Sequence, residues 1–176
     1  MENIKKITAT VQVACFAALI AACSVFVLPL GPVPFTLQTM AVALAGMLLG
    51  SKRGVLAVLL YVLAGIAGAP VFAGGRTGMA VLFGPTCGYL AGFAAMAALC
   101  GMAKPKRPVW NAALWLITGL CALHLCGLAG ICLSLGRTPT QALLMDAAFI
   151  PGDLLKSLAA LFIWRSLERK SDDRCA

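Results

Sequence analysis

Acidic residues are scarce in this chain: six Asp and Glu stand against fourteen Lys and Arg in 176 residues, and charged residues make up only 11%. A soluble domain carries about 25% charged residues and is about half apolar. Here 61% of residues are hydrophobic and the mean hydropathy is +0.96, which excludes a soluble globular domain. There is a single histidine, His124, and no H-E-x-x-H, no Ser/His/Asp set and no pair of carboxylates with a base beside it. That argues against an enzyme. The phosphate-binding pattern G-x-x-x-x-G-K-[ST] is missing too, so nothing here would bind or hydrolyse a nucleotide. None of the eight cysteines forms C-x-x-C, which removes a redox pair and the familiar zinc spacing. Six of them (Cys15, Cys23, Cys100, Cys121, Cys126 and Cys132) lie in apolar runs and read as small packing residues. His124 with Cys121 could be imagined as a metal pair at i, i+3, but a lone histidine hydrogen-bonded between helices is the preferred reading. No metal and no cofactor are expected.

What is present is length without charge. Apolar residues come in continuous runs rather than alternating, which points away from a β-barrel and towards one helical membrane domain covering residues 1–176. Six spans are expected at about Ile7–Leu28, Leu37–Gly50, Val55–Ala67, Pro85–Met102, Trp110–Leu133 and Pro151–Leu167. The first is too long for a signal-peptide core and reads as a retained helix. The second and third are short for a bilayer of ~30 Å. Arg137–Ile150 reads as a short helix at the outer surface, capped by Thr138 or Thr140 with Pro139 at its start. The net charge of +8 is distributed as a topology signal and does not indicate nucleic-acid binding. With the N-terminus inside, the inner flanks hold Lys5, Lys6, Lys52, Arg53, Lys104, Lys106, Arg107, Arg165, Arg169, Lys170 and Arg174, eleven of the fourteen cations. Both termini are therefore expected in the cytoplasm.

Three ionisable residues fall outside that pattern and gather at the outer face: Asp153 and Lys156 in the first turns of the last helix, and Arg76 in the loop after the third span. A charge at membrane depth costs ~2.5–3.5 kcal/mol on insertion scales and usually faces a bundle interior or cavity. Three residues apart, Asp153 and Lys156 share one helix face and can meet each other or one ligand. The loop Gly68–Gly78 is rich in glycine, and Gly74 and Gly75 would allow close backbone approach to a ligand. Thr36 and Gln38 follow a proline-studded turn and offer neutral hydrogen bonds, although Thr36 can equally be a helix cap. Tyr89 can put its ring or hydroxyl into a pocket or sit in an interfacial aromatic belt. Gly88 and Gly92 suit close helix packing. Asp146 is expected at the surface.

Four ordered motifs, GPVPFTLQT (Gly31–Thr39), PVFAGGRTG (Pro70–Gly78), GPTCGYL (Gly84–Leu90) and PGDLLK (Pro151–Lys156), resemble the BioY family. BioY proteins are the biotin-specific substrate-binding S components of energy-coupling factor (ECF) transporters. The likeness covers nearly the whole chain, with Cys87 and Met79 standing where glycine would be expected. It implies an all-α membrane protein, a six-transmembrane-helix bundle of the ECF S-component type. It implies biotin capture at the outer face by Asp153, Lys156 and Arg76, in the cell membrane of a prokaryote. It further implies a transmembrane coupling subunit, T, docking on the alanine face Ala14, Ala18 and Ala22, with ATP hydrolysed by two separate ATPase subunits. A homo-oligomer stays open. The rival readings are an S component for another vitamin, a membrane enzyme using Asp153, Lys156 or His124, and a structural assembly subunit.

Overall fold

A computed structural model describes residues 2–29, 33–104 and 107–173. Part of the proline turn (30–32) and the cations Lys106 and Arg174 of the charge tally lie outside the described residues. Among the described residues the order is α1 (Glu2–Val25), β1 (Val27–Pro29), β2 (Pro34–Thr36), α2 (Gln38–Leu49), α3 (Ser51–Ile66), a 3-10 turn (Met79–Phe83), α4 (Cys87–Cys100), α5 (Val109–Leu135), α6 (Pro139–Ala147) and α7 (Ile150–Asp173). Helices thus occupy each of the six expected spans, and the expected short helix is α6. Thr138 is its cap: its hydroxyl accepts from Gln141 N while Gln141 Oε1 accepts from Thr138 N, with Pro139 in the first turn.

Two features differ from the sequence expectation. The first span does not run to Leu28. It stops at Val25, and Val27–Pro29 pairs antiparallel with Pro34–Thr36, so that Leu28 faces Phe35 across a short hairpin. Proline is tolerated in such a ribbon because each strand has a free edge. The fourth helix begins at Cys87, two residues beyond Pro85. The 3-10 turn and Gly84 use up the chain before it.

Length explains how the bundle is arranged. At 1.5 Å per residue the 27-residue α5 spans ~40 Å, more than a bilayer core of ~30 Å. Helices α1 and α5 are each long and apolar enough to cross a membrane, and α6 and the stretch Ile150–Arg169, bent by 51° from each other, are so only when taken together. By contrast α2 has only 12 residues, ~18 Å. It is the central element, packed on α1, α3, α4 and α7, and it is buried on nearly every side, as an all-apolar helix must be. Trp164 Nε1 of α7 donates to Met47 O of α2 at 3.2 Å, and Ser51 Oγ of α3 donates to Ala98 O of α4 at 2.6 Å. Leu63, Leu114, Leu125, Leu133 and Phe162 point outward, the inside-out surface of a membrane protein.

Helices α4 and α5 make the closest contact. A Cβ built on Gly130 would lie 2.7 Å from Gly88 Cα, and one on Gly92 would lie 3.0 Å from Leu123 Cα. The first approach is too short for any side chain and the second leaves one only if Leu123 gives way, so backbone packs on backbone. Gly88→Val is therefore expected to destabilise the fold by ~1–3 kcal/mol through overpacking. Gly84→Ala, where φ is −89° and the nearest atom to a new Cβ is 3.6 Å away, should be close to neutral. Thermal unfolding of the two variants in detergent checks this contrast.

Candidate functional site

One end of the bundle is hollow. Because α2 starts only at Gln38, the space above it is closed by the hairpin, the loop after α3 and the first turns of α4 and α7. The cavity has about 580 Å³ of atom-free space, a figure that includes open solvent at its mouth. Aromatic rings line much of it. Phe35 stacks with Phe149 at 6.3 Å between centroids, Tyr89 meets Phe149 edge-on at 6.2 Å, and Tyr61 meets Phe72 edge-on at 5.6 Å.

Polar groups run through these rings as a connected chain. Gln38 Nε2 donates to the Tyr61 hydroxyl at 2.6 Å, and Gln38 Oε1 accepts from Thr36 Oγ1 at 3.0 Å. Thr36 Oγ1 also accepts from Gln38 N at 3.3 Å, although the N-cap position of α2 is Leu37 and no side chain caps it. The backbone oxygen of Thr36 accepts from Lys156 Nζ at 2.6 Å. Lys156 Nζ lies 3.8 Å from the Phe35 ring centroid, a cation–π distance, and 2.5 Å from Asp153 Oδ1. That last contact is an ion pair whose angles miss a hydrogen bond, since Asp153 Oδ1 has no hydrogen-bond partner among the described residues. Asp153 sits in the first turn of α7, where the helix dipole favours a carboxylate.

Asp146 is not at the surface. It is 2% exposed, and its Oδ1 accepts from the Tyr89 hydroxyl and, at 3.0 Å, from His124 Nδ1. The amphipathic look of α6 suggested exposure, but Asp146 shares with Ala142, four residues earlier, the face of α6 that is buried. His124 is the interhelical hydrogen-bonded histidine that the sequence suggested.

The structure brings Asp153, Lys156, Thr36, Gln38 and Tyr89 together as buried walls of one cavity, with Arg76 exposed at its mouth. Arg76 is held by its Nε donating to Ala73 O at 3.1 Å. Gly74 and Gly75 do not line the cavity. They make the turn before Arg76 with φ of 74° and 73°, so their role in this structure is to shape the loop. Phe72 anchors that loop, buried against Gly65 and Tyr61. Thr77 Oγ1 and Gly78 N both donate to Gly65 O. Ala14, Ala18 and Ala22 face outward from α1, whereas Ala17 and Ala21 turn towards the core. Tyr61, Phe72 and Phe149 were not singled out from the sequence. The chain has only two tyrosines, and both hydroxyls end in this network, so their rarity was a usable signal. Among the described residues no group of three His, Cys, Asp or Glu is arranged to hold a metal ion.

The BioY family model matches residues 1–173. The chain belongs to the BioY family. Among BioY relatives, the biotin transporter BioY of Thermotoga maritima is 37% identical over 162 residues, covering 90% of this chain and 95% of that one. Biotin transporter BioY2 of Lactococcus lactis is 48% identical over 99 residues, 56% of this chain and 54% of that protein. Among solved structures, the crystal structure of the S-component for biotin from an ECF-type ABC transporter superposes with a TM-score of 0.88 at 27% identity. That match covers 96% of this chain and 95% of the other.

Removing one partner of a buried ion pair strands the other. Lys156→Met is expected to cost ~3–5 kcal/mol of stability, and Lys156→Met combined with Asp153→Leu should recover much of the loss. Thermal unfolding of the two single variants and the double variant measures the coupling.

Proposed function

We propose that this chain captures biotin in the cavity described above, as the substrate-binding component of an ECF-type transporter in a prokaryotic cell membrane. The observation that carries the reading is the Asp153–Lys156 pair, buried one helical turn apart in an aromatic cavity within a BioY chain. A cyclic urea presents a carbonyl acceptor flanked by N–H donors. Asp153 accepts from the N–H groups and Lys156 donates to the carbonyl, so the pair that neutralises itself in the empty cavity is complementary to the ureido ring. The rings of Phe35, Phe72 and Phe149 cover the apolar thioether bicycle. Arg76 at the mouth meets the carboxylate of the valeryl tail. Both termini lie in the cytoplasm, which puts the mouth of the cavity at the outer face.

Nothing in this cavity is arranged to break or make a bond of biotin, so the function is binding and delivery. Family resemblance supplies the rest. A transmembrane coupling subunit docks on the exposed face Ala14, Ala18 and Ala22, two ATPase subunits drive the cycle, and the bundle reorients to release biotin inward.

Calorimetric titration of biotin into the purified chain in detergent tests the first half, beside Asp153→Ala and Arg76→Ala. One-to-one binding is expected, weakened ~10–150-fold in each variant, the value of a charge-assisted hydrogen bond of ~1.5–3 kcal/mol. A folded wild-type chain that does not bind biotin would overturn the reading. For the second half, Ala18→Trp places a bulky ring on the outward face of α1. It should leave biotin affinity unchanged in the isolated chain and abolish uptake of labelled biotin by cells expressing the full transporter.

A further inference from the structure

The polar chain through the cavity has one gap, and it lies at His124. The imidazole is fixed on one side: Nδ1–H donates to Asp146 Oδ1 at 3.0 Å, and the same oxygen accepts from the Tyr89 hydroxyl. On the other side Nε2 is 3.8 Å from Asp153 Oδ2, outside hydrogen-bond range. Among the described residues Nε2 is buried without a hydrogen-bond partner, whereas Asp153 Oδ1 is ion-paired with Lys156 Nζ at 2.5 Å. Buried polar atoms are rarely left unpaired, and one that is calls for an explanation in function.

Charge supplies the explanation. The cluster holds two carboxylates, Asp146 from α6 and Asp153 from α7. Lys156 of α7 pairs with Asp153, and Tyr89 reaches in from α4 as a neutral donor. On α5 itself, Cys121 is exposed. In apolar surroundings an unbalanced charge is far costlier than a balanced cluster. An imidazole protonated on both nitrogens would supply the second positive charge and one N–H donor for each carboxylate. His124 does not line the cavity, whereas its neighbours Asp153 and, through Asp146, Tyr89 do. It therefore acts on a ligand only through such neighbours, and Asp153 is the one it meets across the gap.

We propose that His124 is a positioning residue for biotin capture. When Asp153 turns to accept the ligand's N–H groups, the gap between His124 Nε2 and Asp153 Oδ2 closes to a hydrogen bond. The doubly protonated ring then ties Asp153 to the Asp146–Tyr89 pair. Occupancy at Asp153 is thereby transmitted to α4, α5 and α6. This rests on the biotin reading above.

Because His124 is the only histidine, ¹⁵N-histidine labelling of the wild-type chain in detergent gives ring signals from this residue alone. Biotin is titrated at pH 7 with calorimetry in parallel. The expected result is that biotin binding moves the Nε2 signal and that both ring nitrogens are protonated in the bound state. A chain that binds biotin while Nε2 stays unprotonated, or while its signal does not move, overturns the proposal. A chain that binds no biotin overturns the functional reading on which it rests. Two variants give a second readout. His124→Leu should weaken biotin binding ~10–150-fold, and His124→Gln, which keeps a donor for Asp146 and a polar end towards Asp153, should restore part of it. Wild-type affinity in a folded His124→Leu chain overturns the proposal. If that variant does not fold, the wild-type nitrogen signals decide.

Discussion

A bundle packed in apolar side chains must settle its buried polar groups among themselves, and in this chain the Asp153–Lys156 pair is where that settlement starts. Lys156 reaches the Thr36 carbonyl at 2.6 Å, which pins the hairpin to α7. Thr36 and Gln38 pass the connection to Tyr61 of α3. On the other side Asp153 approaches His124 of α5, and through it Asp146 of α6 and Tyr89 of α4. The groups that would be most expensive to bury singly thus join six helices and the hairpin around one cavity. A partly satisfied polar network is costly in a low-dielectric interior, so the atoms left open are the informative ones. One of them, His124 Nε2, lies 3.8 Å from Asp153 Oδ2, and another, Ser157 Oγ, belongs to α7.

The cavity itself is a consequence of short helices. Had α2 crossed the full bilayer, its upper half would fill the space that the ligand site occupies. Instead α2 ends in a buried hub at one side of the membrane and yields at the other to a hairpin and a loop. Irregular backbone at membrane depth is tolerated where it lines a protein cavity, and Phe35, Thr36, Phe72 and Arg76 of these segments line this one. The loop is held by its own hydrogen bonds to Gly65 and by Phe72 as a plug, which places Arg76 over the mouth. The same thrift applies to α4 and α5, whose glycines let two backbones touch and leave the Tyr89 ring to pack directly on Gly127.

Function follows from combining these two features. An aromatic-lined hollow selects for an apolar ring of modest size, and an acid and an ammonium side by side select for a group that both donates and accepts. That combination suits a cyclic urea fused to an apolar ring, which is why the proposed biotin site is placed here.

Much of this was legible in the sequence. Hydropathy runs gave the six spans because lipid demands continuous apolar helices, and the capping signals of Thr138 and Pro139 gave α6. The rarity of charge within apolar runs marked Asp153 and Lys156. What pattern alone could not reach was orientation across helices. Asp146 looked like a surface residue because α6 is short and amphipathic, and only the packing of α6 on α5 brings it to His124 and Tyr89. Gly74 and Gly75 looked like ligand-facing positions, and only the folded loop shows that they turn the chain ahead of Arg76. Tyr61 has no periodic signature in an apolar helix, and only the rarity of tyrosine, two in the chain, could have marked it. The sequence determined which segments enter the membrane and which charges cannot rest in lipid, since both depend on local transfer energies. Which polar group meets which was decided by tertiary structure, because a buried hydrogen bond depends on distances between helices that no single segment specifies.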